Sequence, residues 1–335
     1  MKLAAKFLPP KINLKNRLRF FVCLLSCFAT LAAWADAAGQ RPVTGGVTNP
    51  PAARVLPWQS GPHTLTVDGH ERTFLIDVPD DLKPGAALVM VFHGFTDSAK
   101  SVREYTGFAA VASRHGFVAV YPQGTRDADG HTFFNVGYEF HQRMTVDDVK
   151  FARELAARLV RDLNLEPQSV FATGMSNGGD MCNRLACQPQ PFVRAIAPVA
   201  GTIMAAWTNG FAPRVRVPVL AVNGTRDTVT LWAGDPADKD GWGAYLGTAA
   251  VMDYWVKNFS LEQSQTTDAG AGRLKTNCPI RLHRWWTAAD DTEVRFYEIQ
   301  GGGHVWPDNL GNADYSTAEE IWKFFAAHRH KAQSR

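Results

Sequence analysis

A serine between two glycines is the first feature of the sequence that could do chemistry. Residues 174–178 read Gly-Met-Ser-Asn-Gly, a Gly-x-Ser-x-Gly motif. A predicted buried strand over 169–173 precedes the motif, and a predicted helix over about 177–186 follows it. A nucleophile elbow requires this order, because only the glycines let strand and helix approach each other around a strained serine. Ser176 is therefore a candidate nucleophile, with a glycine-rich turn without chemistry as the alternative.

A candidate acid and a candidate base follow later strands. A serine hydroxyl is a weak nucleophile that needs an adjacent base, which a carboxylate orients in turn. We predict Asp227, after the strand predicted over 217–222, as the acid, and His304, after the strand predicted over 293–299, as the base. Their chain order of serine, acid and histidine is typical of sites built on an elbow. Competing carboxylates lie in a polar loop that no strand immediately precedes: Asp235, Asp238 and Asp240.

Backbone N–H groups are the expected stabilisers of the oxyanion that attack on a carbonyl would create. The N–H of Asn177, directly after the serine, is one predicted donor. The second donor is expected in the loop after the strand predicted over 86–92, where we favour the N–H of Phe95 over that of Thr96. His93 in this loop is predicted to orient the loop and to border the substrate, with a purely structural role as the alternative.

Tryptophans are the main candidates for holding a substrate. Trp306 lies close to His304 in the chain, and we predict that its aromatic face contacts a phenolic, sugar or polyester group. For the remaining tryptophans of the late segments we predict packing roles: Trp232, Trp242, Trp285 and Trp286.

Short apolar runs that alternate with helical periodicity make up most of the chain. Runs such as 86–92 suit strands covered on both faces, and 63–78 has the alternation of a hairpin. Strands alternating with helices predict an α/β fold with a mostly parallel sheet and helices on both faces. The stretches 225–247 and 261–292 are predicted to be long irregular segments, which are often functional. Further helices are predicted over about 99–114, 147–163, 248–258 and 316–329.

The first 35 residues differ from the rest of the chain. They hold six Lys or Arg residues, no acid and an apolar run over 20–34, as a signal peptide does. We predict cleavage after Ala35 and a secreted protein, extracellular or periplasmic. An uncleaved anchor and lipid attachment at Cys27 stay open as alternatives. Residues 36–62 are predicted to be an irregular lead-in or linker, and 63–330 a single catalytic domain.

Charge and cysteine content narrow the function further. The whole chain has 335 residues and a formal net charge of +3, so the part after the basic N-terminus is net negative. This excludes a global electrostatic case for binding nucleic acid. Cys182 and Cys187 point apart if they share a helix, which disfavours a bridge between them, and a bridge from either to Cys278 stays open. No cysteine pair has the spacing of a zinc site.

Seven ordered segments resemble one family. They are VFHGFTDSA (91–99), VYPQGT (120–125), VDDVKFA (146–152), ATGMSNGGDM (172–181), APVAGT (197–202), NGTRDTV (223–229) and GGGHVWP (301–307). With them the chain resembles, over roughly 63–328, the secreted poly(3-hydroxybutyrate) depolymerase-like esterases, which are α/β-hydrolases related to feruloyl and acetylxylan esterases. One departure is that only Cys278 stands where such relatives tend to carry paired cysteines before the histidine.

The resemblance implies the α/β-hydrolase fold and a carboxylic-ester hydrolase that uses Ser176, Asp227 and His304 through an acyl-enzyme. It implies no metal and no organic cofactor. We expect an ester substrate, foremost poly(3-hydroxybutyrate) or hydroxyalkanoate oligomers, with feruloyl or acetyl esters of plant cell walls as the alternative. Neither a nucleic-acid partner nor a membrane beyond the signal peptide is expected, and the oligomeric state stays open.

Overall fold

Short apolar runs become the strands of one large sheet in the computed structural model. The structure describes residues 57–208, 215–271, 278–312 and 314–330. The predicted signal peptide over 1–35, with its cleavage site and Cys27, and most of the lead-in over 36–62 lie outside the described residues. In the described part of the chain, no helix is long and apolar enough to cross a membrane.

The described residues form fourteen strands and six α-helices. The strands are β1 (Gly61–Val67), β2 (His70–Asp77), β3 (Leu88–Phe92), β4 (Val118–Pro122), β5 (Thr125–Arg126), β6 (Thr132–Phe133), β7 (Val170–Met175), β8 (Ala195–Val199), β9 (Val219–Gly224), β10 (Gly234–Asp235), β11 (Tyr245–Leu246), β12 (Gln263–Ala271), β13 (Pro279–Trp286) and β14 (Glu293–Ile299). The helices are α1 (Ala99–Thr106), α2 (Phe108–His115), α3 (Asp148–Leu163), α4 (Asn177–Ala186), α5 (Thr248–Phe259) and α6 (Thr317–Ala327). Glu139–His141 and Ala205–Trp207 form short 3₁₀ turns.

Ten of the strands form one sheet in the order β1-β2-β4-β3-β7-β8-β9-β14-β13-β12. The centre from β4 to β14 is parallel, and the pairs at both edges are antiparallel. The carboxyl ends of the parallel strands therefore meet along one edge of the sheet, where open α/β sheets bind ligands. The predicted mostly parallel sheet is confirmed for this centre.

Helices cover both faces of the sheet because the central strands are apolar on both sides. In β3, Met90 and Phe92 pack into a core with α3, α4 and α5, whereas Val89 and Val91 pack into a second core with α1, α2 and α6. Successive strand residues point to opposite faces, so one continuous apolar run serves two cores. The predicted α/β-hydrolase architecture is confirmed.

Two predicted elements are wrong in detail. Residues 261–292 are not an irregular segment but hold β12 and β13, an antiparallel hairpin at the sheet edge. Nearly every residue of β12 is exposed, so this strand has no buried face to give it an apolar alternation. The single helix predicted over 99–114 is two helices, α1 and α2, because Gly107 between them adopts the left-handed conformation with φ +72°.

The remaining differences are small. Residues 225–247 are irregular as predicted, apart from the two-residue strands β10 and β11. β1 begins at Gly61, so the last two residues of the predicted lead-in belong to the sheet. The bridge from Cys182 or Cys187 to Cys278 that the sequence left open is not formed among the described residues, where all three cysteine side chains are buried.

Candidate active site

Ser176 stands in a strained turn between β7 and α4. Its backbone has φ +57° and ψ −121°, a conformation that residues other than glycine rarely adopt. A Cβ on Gly174 would lie 2.6 Å from the carbonyl oxygen of Phe92, and one on Gly178 would lie 2.2 Å from the same oxygen. Both glycines are therefore needed for α4 to approach β3 and β7. This is the elbow geometry that the motif predicted.

Asp227 and His304 meet at the ends of two neighbouring parallel strands, β9 and β14. His304 Nδ1 lies 2.8 Å from Asp227 Oδ2. Asp227 Oδ1 accepts the backbone N–H groups of Val229 at 2.8 Å and Thr230 at 2.9 Å. Because a carboxylate only accepts, this arrangement puts the imidazole proton on Nδ1 and leaves His304 Nε2 as a proton acceptor.

The loops that carry Asp227 and His304 are joined by a backbone hydrogen bond and a close backbone contact. The backbone N–H of Arg226 donates to Gly302 O at 2.8 Å, and a Cβ on Gly224 would lie 2.3 Å from the same carbonyl oxygen. The side chain of Asp227 is 1% exposed and that of His304 is 17% exposed. The acid is thus buried and fixed, while the histidine reaches the surface of the site.

The competing carboxylates stabilise their own loop. Asp235 Oδ2 accepts the backbone N–H of Asp240 at 2.9 Å, and Asp238 Oδ1 accepts that of Gly243 at 2.7 Å. Among the described residues, the carboxylate that pairs with His304 is Asp227.

The loop after β3 carries the second predicted oxyanion donor. Thr96 N already donates to Thr132 O at 2.7 Å, which leaves the N–H of Phe95 as the better candidate. On the other side, Asn177 is the first residue of α4, where backbone N–H groups have no partner within the helix. The Asn177 side chain points away from the site toward Phe134, since it accepts from Phe134 N at 2.7 Å and donates to Phe134 O at 3.0 Å.

His93 lies below the surface of the site, and its predicted contact with a substrate stays a prediction. The side chain is completely buried, with Nδ1 2.7 Å from Gly94 O and Nε2 accepting the backbone N–H of Gly124 at 2.9 Å. Burial lowers the pKa of His93, so the ring is held as a neutral imidazole. It fixes the loop that presents Phe95, as the other part of the prediction states.

A small pocket opens beside Ser176. One carboxylate, two threonines, two tyrosines and three apolar or aromatic side chains line it together with the serine. These lining residues are Tyr138, Asp180, Thr202, Met204, Val229, Thr230, Trp242 and Tyr245. The candidate nucleophile Ser176 therefore borders a small pocket.

Trp306 is not among these lining residues, and its predicted contact with a substrate stays a prediction. Its ring centroid lies 6.2 Å from that of Tyr105 and 6.4 Å from that of Phe108, so it packs against α1 and α2. Trp242, predicted only to pack, lines the pocket instead. It stands 5.1 Å from Tyr138 and 5.2 Å from Phe140, measured between ring centroids. The aromatic wall of the site therefore comes from the middle of the chain.

Sequence reasoning missed a buried carboxylate in the pocket. Asp180 Oδ2 accepts the hydroxyl of Tyr138 at 2.7 Å, and Oδ1 accepts the backbone N–H of Thr202 at 2.7 Å. Burial raises the pKa of Asp180 to about 6, although these two hydrogen bonds lower it. Burial and the neighbouring carboxylate raise the pKa of Tyr138 well above its usual value, so its phenol stays neutral. The signal available in the sequence was an acidic residue in the first turn of α4, the helix that follows Ser176.

One group of three side chains in the described ranges could approach a metal ion. Ligand atoms of Asp127, Asp129 and His131 lie within 4.8 Å of one another. However, Asp127 Oδ1 accepts the backbone N–H groups of Asp129 at 3.0 Å and His131 at 2.8 Å. Its Oδ2 lies 3.2 Å from His141 Nε2. Hydrogen bonds from an Asp side chain to the backbone N–H groups that follow it are typical of a surface turn.

The fold and the site together define an α/β-hydrolase with a serine, histidine and aspartate at the ends of β7, β14 and β9. No family model matches the chain. Curated relatives include the bifunctional acetylxylan esterase/xylanase XynS20E of Neocallimastix patriciarum, 22% identical over 76% of this chain and 33% of the relative. Feruloyl esterase B of Piromyces equi is 24% identical over 69% of this chain and 41% of the relative. Poly(3-hydroxybutyrate) depolymerase of Ralstonia pickettii is 26% identical over 70% of this chain and 51% of the relative.

The solved structures support the fold. Acetyl xylan esterase from Aspergillus awamori has a TM-score of 0.56 at 14% identity and covers 80% of this chain and 99% of its own. The predicted resemblance to poly(3-hydroxybutyrate) depolymerase-like esterases is confirmed, and with it the class of carboxylic-ester hydrolases. The chain spans about a third to a half of the length of the three curated relatives named above.

Proposed function

We propose that the chain is a secreted serine esterase that works through an acyl-enzyme, with Ser176, Asp227 and His304 as its catalytic triad. The observation that carries the proposal is the 2.8 Å His304–Asp227 pair at the sheet edge where the strained Ser176 stands. Export is supported by the basic and apolar residues of 1–35.

The chemistry follows from the proton that each group can hold. His304 Nε2 takes the Ser176 hydroxyl proton as the Ser176 oxygen attacks the ester carbonyl, and Asp227 stabilises the imidazolium that forms. The N–H groups of Asn177 and Phe95 stabilise the resulting oxyanion. Return of the proton to the alcohol oxygen releases the alcohol and leaves the acyl group on Ser176. Water, activated by the same imidazole, then hydrolyses the acyl-enzyme.

The first candidate substrates are poly(3-hydroxybutyrate) or hydroxyalkanoate oligomers. Their short acyl unit suits the small pocket beside Ser176, whose lining is partly polar and partly apolar. A depolymerase of such a polyester is among the relatives.

Feruloyl or acetylxylan ester hydrolysis is the second candidate, and one observation favours it. Phe95, Phe140 and Trp242 pack edge to face, with ring centroids 5.2 to 5.8 Å apart. Phe140 is 49% exposed, so this cluster offers an aromatic surface to a planar phenolic ring or a sugar.

Ester hydrolysis by the secreted chain and by its Ser176→Ala variant tests the proposal. The wild-type protein is expected to hydrolyse hydroxybutyrate oligomers faster than methyl ferulate or acetylated xylan, and Ser176→Ala is expected to lose at least a thousandfold in kcat with every ester. Full activity in Ser176→Ala would contradict the triad. Faster turnover of methyl ferulate would favour the second candidate, and hydrolysis of peptide amides alone would contradict both.

A further inference from the structure

An irregular stretch of the chain forms one wall of the pocket beside Ser176. This wall segment, residues 134–146, has no α-helix or strand and only the short turn Glu139–His141. Its Tyr138 lines the pocket, and the exposed Phe140 packs against Tyr138 with the ring centroids 5.5 Å apart. The position of the wall segment therefore depends on the hydrogen bonds that individual side chains make to it.

We propose that a buried ion pair outside the pocket, Arg72 with Asp148, positions the wall segment and so determines how well large esters bind. The two are positioning residues, since neither is among the residues that line the pocket. The inference rests on the proposed esterase function and adds two residues that act on the same site.

The wall segment is anchored at its first two residues. Phe134 forms two backbone hydrogen bonds with the Asn177 side chain, at 2.7 and 3.0 Å. The backbone N–H of the next residue, Asn135, donates to Asp148 Oδ2 at 2.6 Å. The side-chain amide of Asn135 closes the segment, because it donates to Val146 O at 2.9 Å. Asp148 therefore holds the residue at which the two ends of the segment meet.

Arg72 holds the Asp148 carboxylate in place. Arg72 Nη2 lies 2.5 Å from Asp148 Oδ1, and the two side chains are 8% and 0% exposed. The guanidinium also lies over the ring of Phe151, 4.0 Å from its centroid, which fixes its orientation. Burial raises the pKa of Asp148, and Arg72 and the Asn135 N–H oppose this rise. One carboxylate oxygen thus bonds Arg72, and the other bonds the wall segment.

Stability alone does not account for a buried ion pair at this place. Taking two charges out of water costs about as much as their attraction returns, and apolar side chains of similar volume often stabilise a fold equally well. An apolar pair would offer no acceptor to the Asn135 N–H. The carboxylate therefore adds what an apolar pair lacks, a hydrogen bond that fixes an irregular segment beside the nucleophile.

Two esters of different size test the inference. One is methyl acetate, and the other is a hydroxybutyrate oligomer or methyl ferulate, whichever the wild-type protein hydrolyses faster. In Asp148→Asn, one of the two donors loses its acceptor, because an amide has a single oxygen. KM for the large ester is expected to rise about tenfold. Its kcat, and kcat/KM for methyl acetate, are expected to stay within about twofold of wild type, because the triad is unchanged.

The double variant Arg72→Met/Asp148→Leu separates positioning from stability. An apolar pair is expected to keep the melting temperature within about 3 °C of wild type. KM for the large ester is expected to stay raised, because leucine offers Asn135 no acceptor. Asn135→Ala removes the amide that closes the wall segment, leaves the ion pair intact, and is expected to raise the same KM. These two variants carry the test if Asp148→Asn does not fold.

The matched control is Asp77→Asn. Asp77 of β2 pairs with Arg103 of α1 at 2.7 Å, as Arg72 of β2 pairs with Asp148 of α3. Among the described residues, Asp77 makes no hydrogen bond to the wall segment. Asp77→Asn is expected to lower the melting temperature and to leave KM for the large ester within about twofold of wild type.

Three results would overturn the inference: an unchanged KM in Asp148→Asn and Asn135→Ala, a wild-type KM in the double variant, or an equal rise of KM in Asp77→Asn. A loss in kcat/KM for methyl acetate as large as that for the large ester would also overturn it, because the change would then have reached the triad. If one of these results appears while Ser176→Ala is inactive, only this inference fails. An active Ser176→Ala would contradict the proposed function as well.

Discussion

Two buried carboxylates flank the same serine and are used differently. On what we call the His304 side, Asp227 gives one oxygen to His304 and the other to two backbone N–H groups. On the Tyr138 side, Asp180 bonds one donor with each oxygen and faces the pocket. Asp227 thus has three partners and orients His304, whereas Asp180 has two partners and lines the pocket.

The two sides also differ in how the chain builds them. Asp227 follows β9 and depends on a long-range contact with the loop after β14, where the Arg226 N–H meets Gly302 O at 2.8 Å. Asp180 lies on α4, one turn from Ser176, so the same helix fixes both. The His304 side is therefore assembled by the sheet, and the Tyr138 side by the elbow helix.

The largest effect is expected from Asp227→Asn. An amide donates to His304 Nδ1 and so favours the tautomer whose Nε2 carries the proton and cannot act as a base. We expect kcat to fall by about 10⁴-fold, equally for hydroxy and unsubstituted esters, because the change touches the base and not the acyl pocket. Steady-state kinetics with ethyl 3-hydroxybutyrate and ethyl butyrate measure this.

Asp238→Asn is the matched control, because that carboxylate accepts the Gly243 N–H in its own loop and does not pair with His304. It is expected to stay within about twofold of wild type. A loss of less than tenfold in Asp227→Asn, or a loss confined to one ester, would break the distinction between the two sides.

Asp180→Asn is expected to stabilise the fold, the opposite of what removal of a structural carboxylate does. The folded pKa of Asp180, about 6, is raised above the ordinary value of 3.8. The unfolded chain therefore ionises first as the pH rises, and the folded state is penalised from about pH 4 upward until the penalty is complete above pH 6. At pH 7.5 the ionised carboxylate lowers the free energy of unfolding by roughly 3 kcal/mol. The uncharged Asn side chain of the variant does not.

Urea unfolding of the wild-type protein and Asp180→Asn at several pH values measures this difference. The free energy of unfolding of the variant is expected to exceed that of wild type above pH 6, with the difference disappearing below pH 4. Asp235→Asn serves as the control that shows no such gain. A less stable Asp180→Asn at pH 7.5 would mean that Asp180 is a structural group like Asp227.

The sequence predicted the His304 side better than the Tyr138 side, for a physical reason. Ser176, Asp227 and His304 each follow a buried strand, and such strands leave a strong apolar signal. Tyr138 stands in an irregular stretch before the turn Glu139–His141, and its contact with Asp180 bridges α4 and that stretch. Hydrophobic periodicity in the sequence does not indicate a long-range hydrogen bond between two side chains such as these. β12 escaped prediction for the related reason that an exposed edge strand has no apolar face.

The smallest expected effects come from one tryptophan on each side. Trp242 packs against Tyr138 and lines the pocket, so Trp242→Ala is expected to raise KM about tenfold by opening the wall, through the loss of about 1 to 2 kcal/mol of aromatic contact. Trp306 packs against Tyr105 and Phe108, so Trp306→Ala is expected to lower the melting temperature and leave KM within about twofold. Steady-state kinetics give KM of both variants, and thermal unfolding gives their melting temperatures. If Trp306→Ala raised KM more than Trp242→Ala, the acyl group would bind on the His304 side and not in the pocket that Trp242 lines.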